Sequence, residues 1–236
     1  MKNTTTISID LAKTVFQVAV FNKHGTLISN KAMNEKKVVL LVAQHSEANI
    51  CMEACGSAHY WGRRFSKDGH KVYLVPAQIA AKYRNGNKND ANDALAIYEA
   101  AKRSDTHFVT VRSLEQQDLA SQHKFRQGYV KQRTQLANRI RGFSMEYGVK
   151  FPKGINKLRC GVPSVLEECE NELTITARNI LRNLLDQLLS LDKIIKEVTT
   201  TLVELTKVVS ACRELLPLPG VGWIVAGALY ARIGNG

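Results

Sequence analysis

The chain has 236 residues, 44% hydrophobic and 23% charged, with 33 Lys and Arg against 21 Asp and Glu for a formal net charge of +12. That length can bury a sizeable core, and no run of about 18 apolar residues suggests a transmembrane helix. The basic surplus favours a polyanionic partner, because each phosphate neutralised by Lys or Arg releases counterions.

Taken in chain order, TTTISID is β-branched, alternates in polarity and ends on Asp10, which predicts a strand. TVFQVAVFN and GTLISNKAM predict two more, separated by the turn residues Asn22, Lys23, His24 and Gly25. EKKVVLLVAQHSE predicts a helix, and ANICMEA a short apolar strand of the kind buried on both faces. AHYWGRRFSKDG reads as a helix closed by Gly69, and HKVYLVP as a strand stopped by Pro76. AQIAAKYR predicts a short helix, RNGNKND a polar loop and ANDALAIYEAAKR a helix of good formers. A three-strand meander followed by crossover units predicts an α/β fold, a mixed five-strand sheet with flanking helices. That is the ribonuclease-H-like (RuvC-like) order. The actin-like phosphotransferases share it broadly, but DLAKT lacks the glycine their phosphate loop places after the Asp.

After about residue 112 the character changes. From Arg112 to Arg159 there are eleven Lys or Arg against three Asp or Glu, in a long helical pattern. Pro152, Gly154, Gly161 and Pro163 predict a break over 148–163. Leu181, Leu184, Leu188, Leu191, Ile195, Val198, Leu202, Leu205 and Val209 then recur in steps of three and four, the pattern of a coiled coil or of a long helix packed by one stripe. The expected division is a catalytic domain over 1–111, a helical coiled-coil, nucleic-acid-binding and oligomerisation region over 112–212, and the start of a truncated C-terminal domain over 213–236.

The acids suggest chemistry. Asp10 closes the first strand and Glu53 lies near the end of the fourth. Equivalent ends of neighbouring parallel strands are only about 5 Å apart. Asp90 and Asp93 stand three apart at a helix start and so share a face. Four carboxylates brought together repel, so they must protonate or hold cations. Oxygen-only donors suit Mg2+ or Mn2+, and such ions clamp the attacking and leaving oxygens of a phosphodiester. Each acid taken singly also has an ordinary reading, as a strand-end polar group or a helix-start acid. Lys13 and Lys88 either contact phosphate near the metals or stay solvated loop lysines. Arg126, Lys131, Arg133, Arg139 and Arg141 are the candidate phosphate contacts on the basic helix. Tyr60 and Trp61 read as core rather than base-stacking groups. The five scattered cysteines contain no CxxC pair, and no His falls at metal-ligand spacing, so no zinc site or disulfide framework is expected. MKNTTTISID lacks the apolar centre of a signal peptide, so reduced thiols and a cytoplasmic location are expected.

ISIDLAKTVFQVAV, CMEACGSAHYW, VYLVPAQIAAKYRNGNKNDANDALAIYEAAK, RQGYVKQRTQLANRIRGF and LLPLPGVGWIVAGALYARIGNG, in that order, resemble the successive motifs of one family across nearly the whole chain. It is the bacterial insertion-sequence transposases with a RuvC-like DEDD domain, related to the Piv DNA invertases. The resemblance implies a catalytic, metal-binding tetrad at Asp10, Glu53, Asp90 and Asp93, Mg2+-dependent DNA cleavage and rejoining, and, for many members, guidance by a structured bridge RNA. It implies homo-oligomers, dimers or tetramers, assembled through helical segments. It also implies a serine nucleophile in a C-terminal domain, expected here beyond Gly236. PGVG (219–222) reads either as a helix-hairpin-helix turn or as a plain tight turn. The alternative readings are a nucleic-acid-binding assembly module without chemistry and a RuvC-like structure-specific nuclease.

Overall fold

The computed structural model describes residues 4–87 and 89–233. The chain forms two compact units, Met1–Ser113 and Leu114–Gly236.

The first unit is built on strands β1 (Thr6–Asp10), β2 (Val15–Phe21), β3 (Leu27–Asn34), β4 (Asn49–Glu53) and β5 (Lys71–Val75). Their order in the sheet is β3-β2-β1-β4-β5. The meander β1–β3 is antiparallel, while β4 and β5 join parallel to β1 and to each other. This is the ribonuclease-H-like arrangement expected from the element order. Asn22 sets the β2–β3 turn by accepting from the backbone N–H groups of His24 and Thr26, and Gly25 supplies the left-handed residue, with φ of 83°.

Strand alternation divides the sheet into two faces. Ile7, Ile9, Val18, Val20, Ile50, Met52 and Leu74 pack against α1 (Glu35–Ala43) and α2 (Ala58–Lys67) through Val38, Val42, Trp61 and Phe65. Trp61 is 3% exposed and meets Phe16 edge-on at 5.3 Å, so it belongs to the core, whereas Tyr60 is exposed. The opposite face carries Ala19, Phe21, Cys51 and Val75 against Ala94, Ile97, Tyr98, Ala100 and Ala101 of α4 (Asp90–Lys102). Between β5 and α4 run α3 (Ala77–Ala80) and a 3-10 turn (Ala81–Tyr83). β1 is interior to the sheet and covered on both faces, so its residues are almost wholly apolar or small.

The second unit is helical: α5 (Leu114–Met145), α6 (Ile155–Glu167), α7 (Ile175–Val208), α8 (Ser210–Glu214) and α9 (Trp223–Ile233). α5 and α7 run antiparallel, since Arg126 meets Thr199 while Arg133, further along α5, meets Asp192, earlier on α7. The apolar stripe of α7 is spent inside this unit. Leu181, Leu184, Leu185 and Leu188 pack with Leu136, Ala137 and Ile140 of α5 and with Leu158 and Val162 of α6. Leu202 packs with Leu119 of α5 and Ala226 and Tyr230 of α9.

The break after α5 is shorter than the Pro and Gly content suggests, because Gly161 and Pro163 lie within α6. A Cβ at Gly161 would come within 3.1 Å of the Phe151 ring, so glycine there serves helix–loop packing. Among the described residues no helix is long and apolar enough to cross a membrane.

A candidate metal centre of carboxylates

Asp10 ends β1 on the α4 side of the sheet, the side its neighbour-but-one Ser8 also faces. Register pairs Ile9 with Met52 across the parallel β1–β4 ladder, which brings the next residues, Asp10 and Glu53, alongside each other. Asn89 caps α4 by accepting from the Asn92 N–H at 2.8 Å, so Asp90 and Asp93 fall in the first turn. There the helix dipole and unpaired N–H groups favour negative charge.

Asp10, Asp90 and Asp93 each bring a carboxylate oxygen to within 4.8 Å of the other two. Glu53 lies outside that triangle, yet its charge acts on Asp10. The Asp10 carboxyl is pushed up to about 6, first by burial and then by the charges of Asp93, Glu53 and Asp90, with Arg84 opposing them. The Arg84 guanidinium pairs with the Asp93 carboxylate. One arginine cannot neutralise four acids. The excess charge, the oxygen-only donors and the absence of His or Cys among them fit a hard divalent cation. Three oxygens this close can share such an ion.

Of the candidate phosphate contacts, Lys13 is exposed on the loop after β1, and Lys88 lies outside the described residues. On α5, Lys131 and Arg139 are exposed. The other three make contacts within their own unit. Arg126 donates to Thr199 at 2.8 Å, Arg133 pairs with Asp192 at 3.0 Å, and Arg141 donates to the Gly154 carbonyl at 3.1 Å. Arg159 of α6 shares Asp192 at 2.6 Å, so that one carboxylate ties three helices together.

Sequence reasoning missed the groups that hold α4 in place. Ser8, fully buried, donates to the Ala94 carbonyl at 2.7 Å. Asn30 of β3 donates to the Ala91 carbonyl at 3.0 Å and accepts from Gln17 at 2.6 Å. These bonds dock the first turns of α4 onto β1–β3 and set the distance from Asp90 and Asp93 to Asp10. The visible signal was Ser8 itself, a hydroxyl inside an apolar strand on the same face as Asp10. Asn30→Ala is expected to cost about 1 kcal/mol and to move the Asp10 carboxyl down toward its ordinary value, as the acids of α4 drift away. A carboxyl-carbon NMR titration reads this, and an unmoved Asp10 midpoint would show that Asn30 has no part in the spacing.

Fold and site together define a ribonuclease-H-like domain with an acid cluster at the ends of its central strands. Residues 7–147 match the family profile of the IS110-type DEDD transposases, described as "Transposase". The chain belongs to that family. It is 34% identical to a transposase for insertion sequence element IS1111A of Coxiella burnetii, over all of this chain and 65% of that protein. It is 32% identical to a transposase for element IS1328 of Yersinia enterocolitica, over all of this chain and 70% of that one. A probable family 20 transposase of Pseudomonas aeruginosa is 34% identical over 99% of this chain and 69% of its own length. The chain thus spans about two thirds of the length of these relatives. Among solved structures, T. thermophilus RuvC in complex with a Holliday junction substrate aligns with 45% of this chain and 99% of that one, at 11% identity and a TM-score of 0.31.

Proposed function

We propose that this chain is the carboxylate-bearing part of an insertion-sequence transposase that cuts DNA strands with a divalent metal, Mg2+ or Mn2+, held by Asp10, Asp90 and Asp93 with Glu53 beside them. The observation that carries the reading is the meeting of three acids from β1 and α4 in a strongly basic chain of a transposase family. When bound, such an ion supplies charge stabilisation at a phosphodiester. The protein's own part is to hold the oxygens. β1 and β4 fix Asp10 and Glu53 through sheet register. Arg84 restrains Asp93, and Ser8 and Asn30 fix the start of α4.

The same reading carries finer expectations: rejoining of the cut strands with a serine from a further domain, target choice by a bridge RNA, dimers or tetramers built through the helical unit, and action in the cytoplasm. Titration of the chain with Mn2+, followed by paramagnetic resonance and by nicking of supercoiled DNA, tests the core of it. Binding and nicking that both vanish in Asp93→Asn are expected. Nicking that persists in excess chelator would overturn the metal assignment.

The exposed cations of α5 suit DNA or RNA phosphates. Lys131→Ala and Arg139→Ala are each expected to flatten the log–log salt dependence of duplex binding by about 0.9, with little change in stability. Arg133→Ala is expected to act chiefly on stability, because it removes the α5 partner of Asp192 and leaves only Arg159 of α6 paired with it. An unchanged salt slope in both surface variants would remove α5 from the interface.

A further inference from the structure

A second concavity opens on the first unit along the C-terminal half of α4, with a volume of about 430 Å³. That lies within the ~300–1,000 Å³ range of small-ligand sites. Its floor is apolar. Phe21 and Tyr98 stack there with ring centroids 3.5 Å apart and planes within 7°, and Leu95 extends the surface. Its rim carries two exposed cations, Lys82 and Arg103, beside one exposed acid, Glu99. Arg103 donates from Nε to the Tyr83 hydroxyl at 3.2 Å and lies 5.5 Å over the Tyr83 ring. That bond orients the guanidinium while using one of its five donors. Asn85 and Glu99 complete the wall with a donor and acceptors.

An aromatic and aliphatic floor beneath two cations suits a flat, polar-edged ring joined to a phosphate. Phe21 and Tyr98, nearly buried, close the base, so the ring packs on the part-exposed Leu95 and Tyr83, its edge meets Asn85 and Glu99, and the phosphate meets Arg103 and Lys82. A hollow of this size takes one nucleotide rather than a duplex. Its place in the fold adds a constraint. Lys82, Tyr83 and Asn85 flank Arg84, whose guanidinium holds Asp93, and α4 carries both the acids and the cavity wall. Phe21 pairs with Thr6 and Gln17 with Asp10, so the cavity lies roughly 13 Å along the sheet from the carboxylates, and a strand crossing them can reach it about two nucleotides on. We propose that this cavity binds a single unpaired nucleotide of a DNA or RNA strand that passes the carboxylate cluster, and so favours opened strands over intact duplex. The proposal rests on the nucleic-acid reading above but not on metal catalysis.

The test uses the full chain without divalent metal and short single strands carrying 2-aminopurine, in deoxy and ribo forms. Three variants are compared: Lys82→Ala/Arg103→Ala, which removes the rim charges; Leu95→Trp, which fills the hollow and keeps them; and Lys36→Ala/Lys37→Ala on α1, a control with equal charge loss. The first two are expected to weaken binding roughly tenfold and to abolish the stacking quench, with the control within about twofold. A 5-iodouracil strand is expected to crosslink to Tyr98 or Tyr83. The stronger of the deoxy and ribo arms identifies which strand the cavity receives. Equal weakening in all three variants, a Leu95→Trp variant that binds like the parent, or crosslinks confined to 114–236 would each overturn the proposal. Thermal melting of Leu95→Trp alongside the charge variant separates a blocked cavity from a damaged fold. If Mn2+ binding and nicking fail while Leu95→Trp still loses the strand, the metal reading falls and this one stands. Loss of the metal with the cavity variants unaffected would sink both.

Discussion

Asp10→Asn is expected to abolish strand cleavage and, at neutral pH, to make the metal-free protein more stable than the parent. The carboxyl of Asp10 is held at about 6 against an ordinary 3.8. The folded chain therefore binds this proton more tightly than the unfolded chain does. Wild-type stability should fall as pH rises from near 4 to near 6 and remain lowered above that, because burial and the neighbouring acids then oppose a full negative charge. Asparagine carries no such charge, so the gap between variant and parent should open across that window and stay open. The difference between about 6 and the ordinary 3.8 corresponds to about 3 kcal/mol, and partial solvent exposure of the group reduces this to about 1–2 kcal/mol. Excess Mg2+ or Mn2+ should reverse the order, since the parent gains binding energy in the folded state and the variant gains little. Paired thermal melts at pH 4 and pH 7.5, with and without metal, read all of this. A parent that is the more stable of the two at neutral pH in chelator would contradict the crowded-acid account.

Leu188→Ala is expected to cost about 2–5 kcal/mol. Leu188 is fully buried where α5, α6 and α7 meet, and a smaller side chain leaves a hole there that rigid helices close only in part. Leu189→Ala is the natural control: Leu189 is 46% exposed, and the change should cost under about 0.5 kcal/mol. The destabilisation by Leu188→Ala should be the same at low and high protein concentration, because its partners belong to the same chain. A melting temperature of the variant that recovers as protein concentration rises would mean that the seam is shared between chains. A neutral Leu188→Ala would remove the packing account altogether.

Much of the first unit is legible in the order of its residues. The alternation in TISID and VFQVAVF, the apolar run NICME and the good helix formers after Asn89 each point to one element, and those elements form at those places. Position at the ends of neighbouring strands put Asp10 and Glu53 close together, and helical spacing put Asp90 and Asp93 on one face of a helix start. Three of the four meet as that geometry suggests. Glu53 sits beside the cluster instead of within it, because backbone register places the residue but not the end of a long side chain.

The helical unit is legible in period but not in partner. The seam on α7 reads the same whether it faces another chain or α5, and only packing assigned it to α5 and α9. Arg126, Arg133 and Arg141 are expected phosphate contacts, and only the fold shows that they also meet Thr199, Asp192 and Gly154 within their own unit. Gly161 and Pro163 read as breakers, yet α6 runs through both; Gly161 leaves room for the Phe151 ring, and tertiary packing outweighs local propensity.

By itself the sequence determined the elements, their order and which residues share a face, since each follows from periodicities of two and 3.6 along a local stretch of chain. The tertiary structure alone decided that Arg84 restrains Asp93, that Ser8 and Asn30 hold α4, and that Phe21, Leu95 and Tyr98 line one hollow with Lys82 and Arg103. Those pairings join groups whose approach depends on how whole elements pack, which no local pattern encodes.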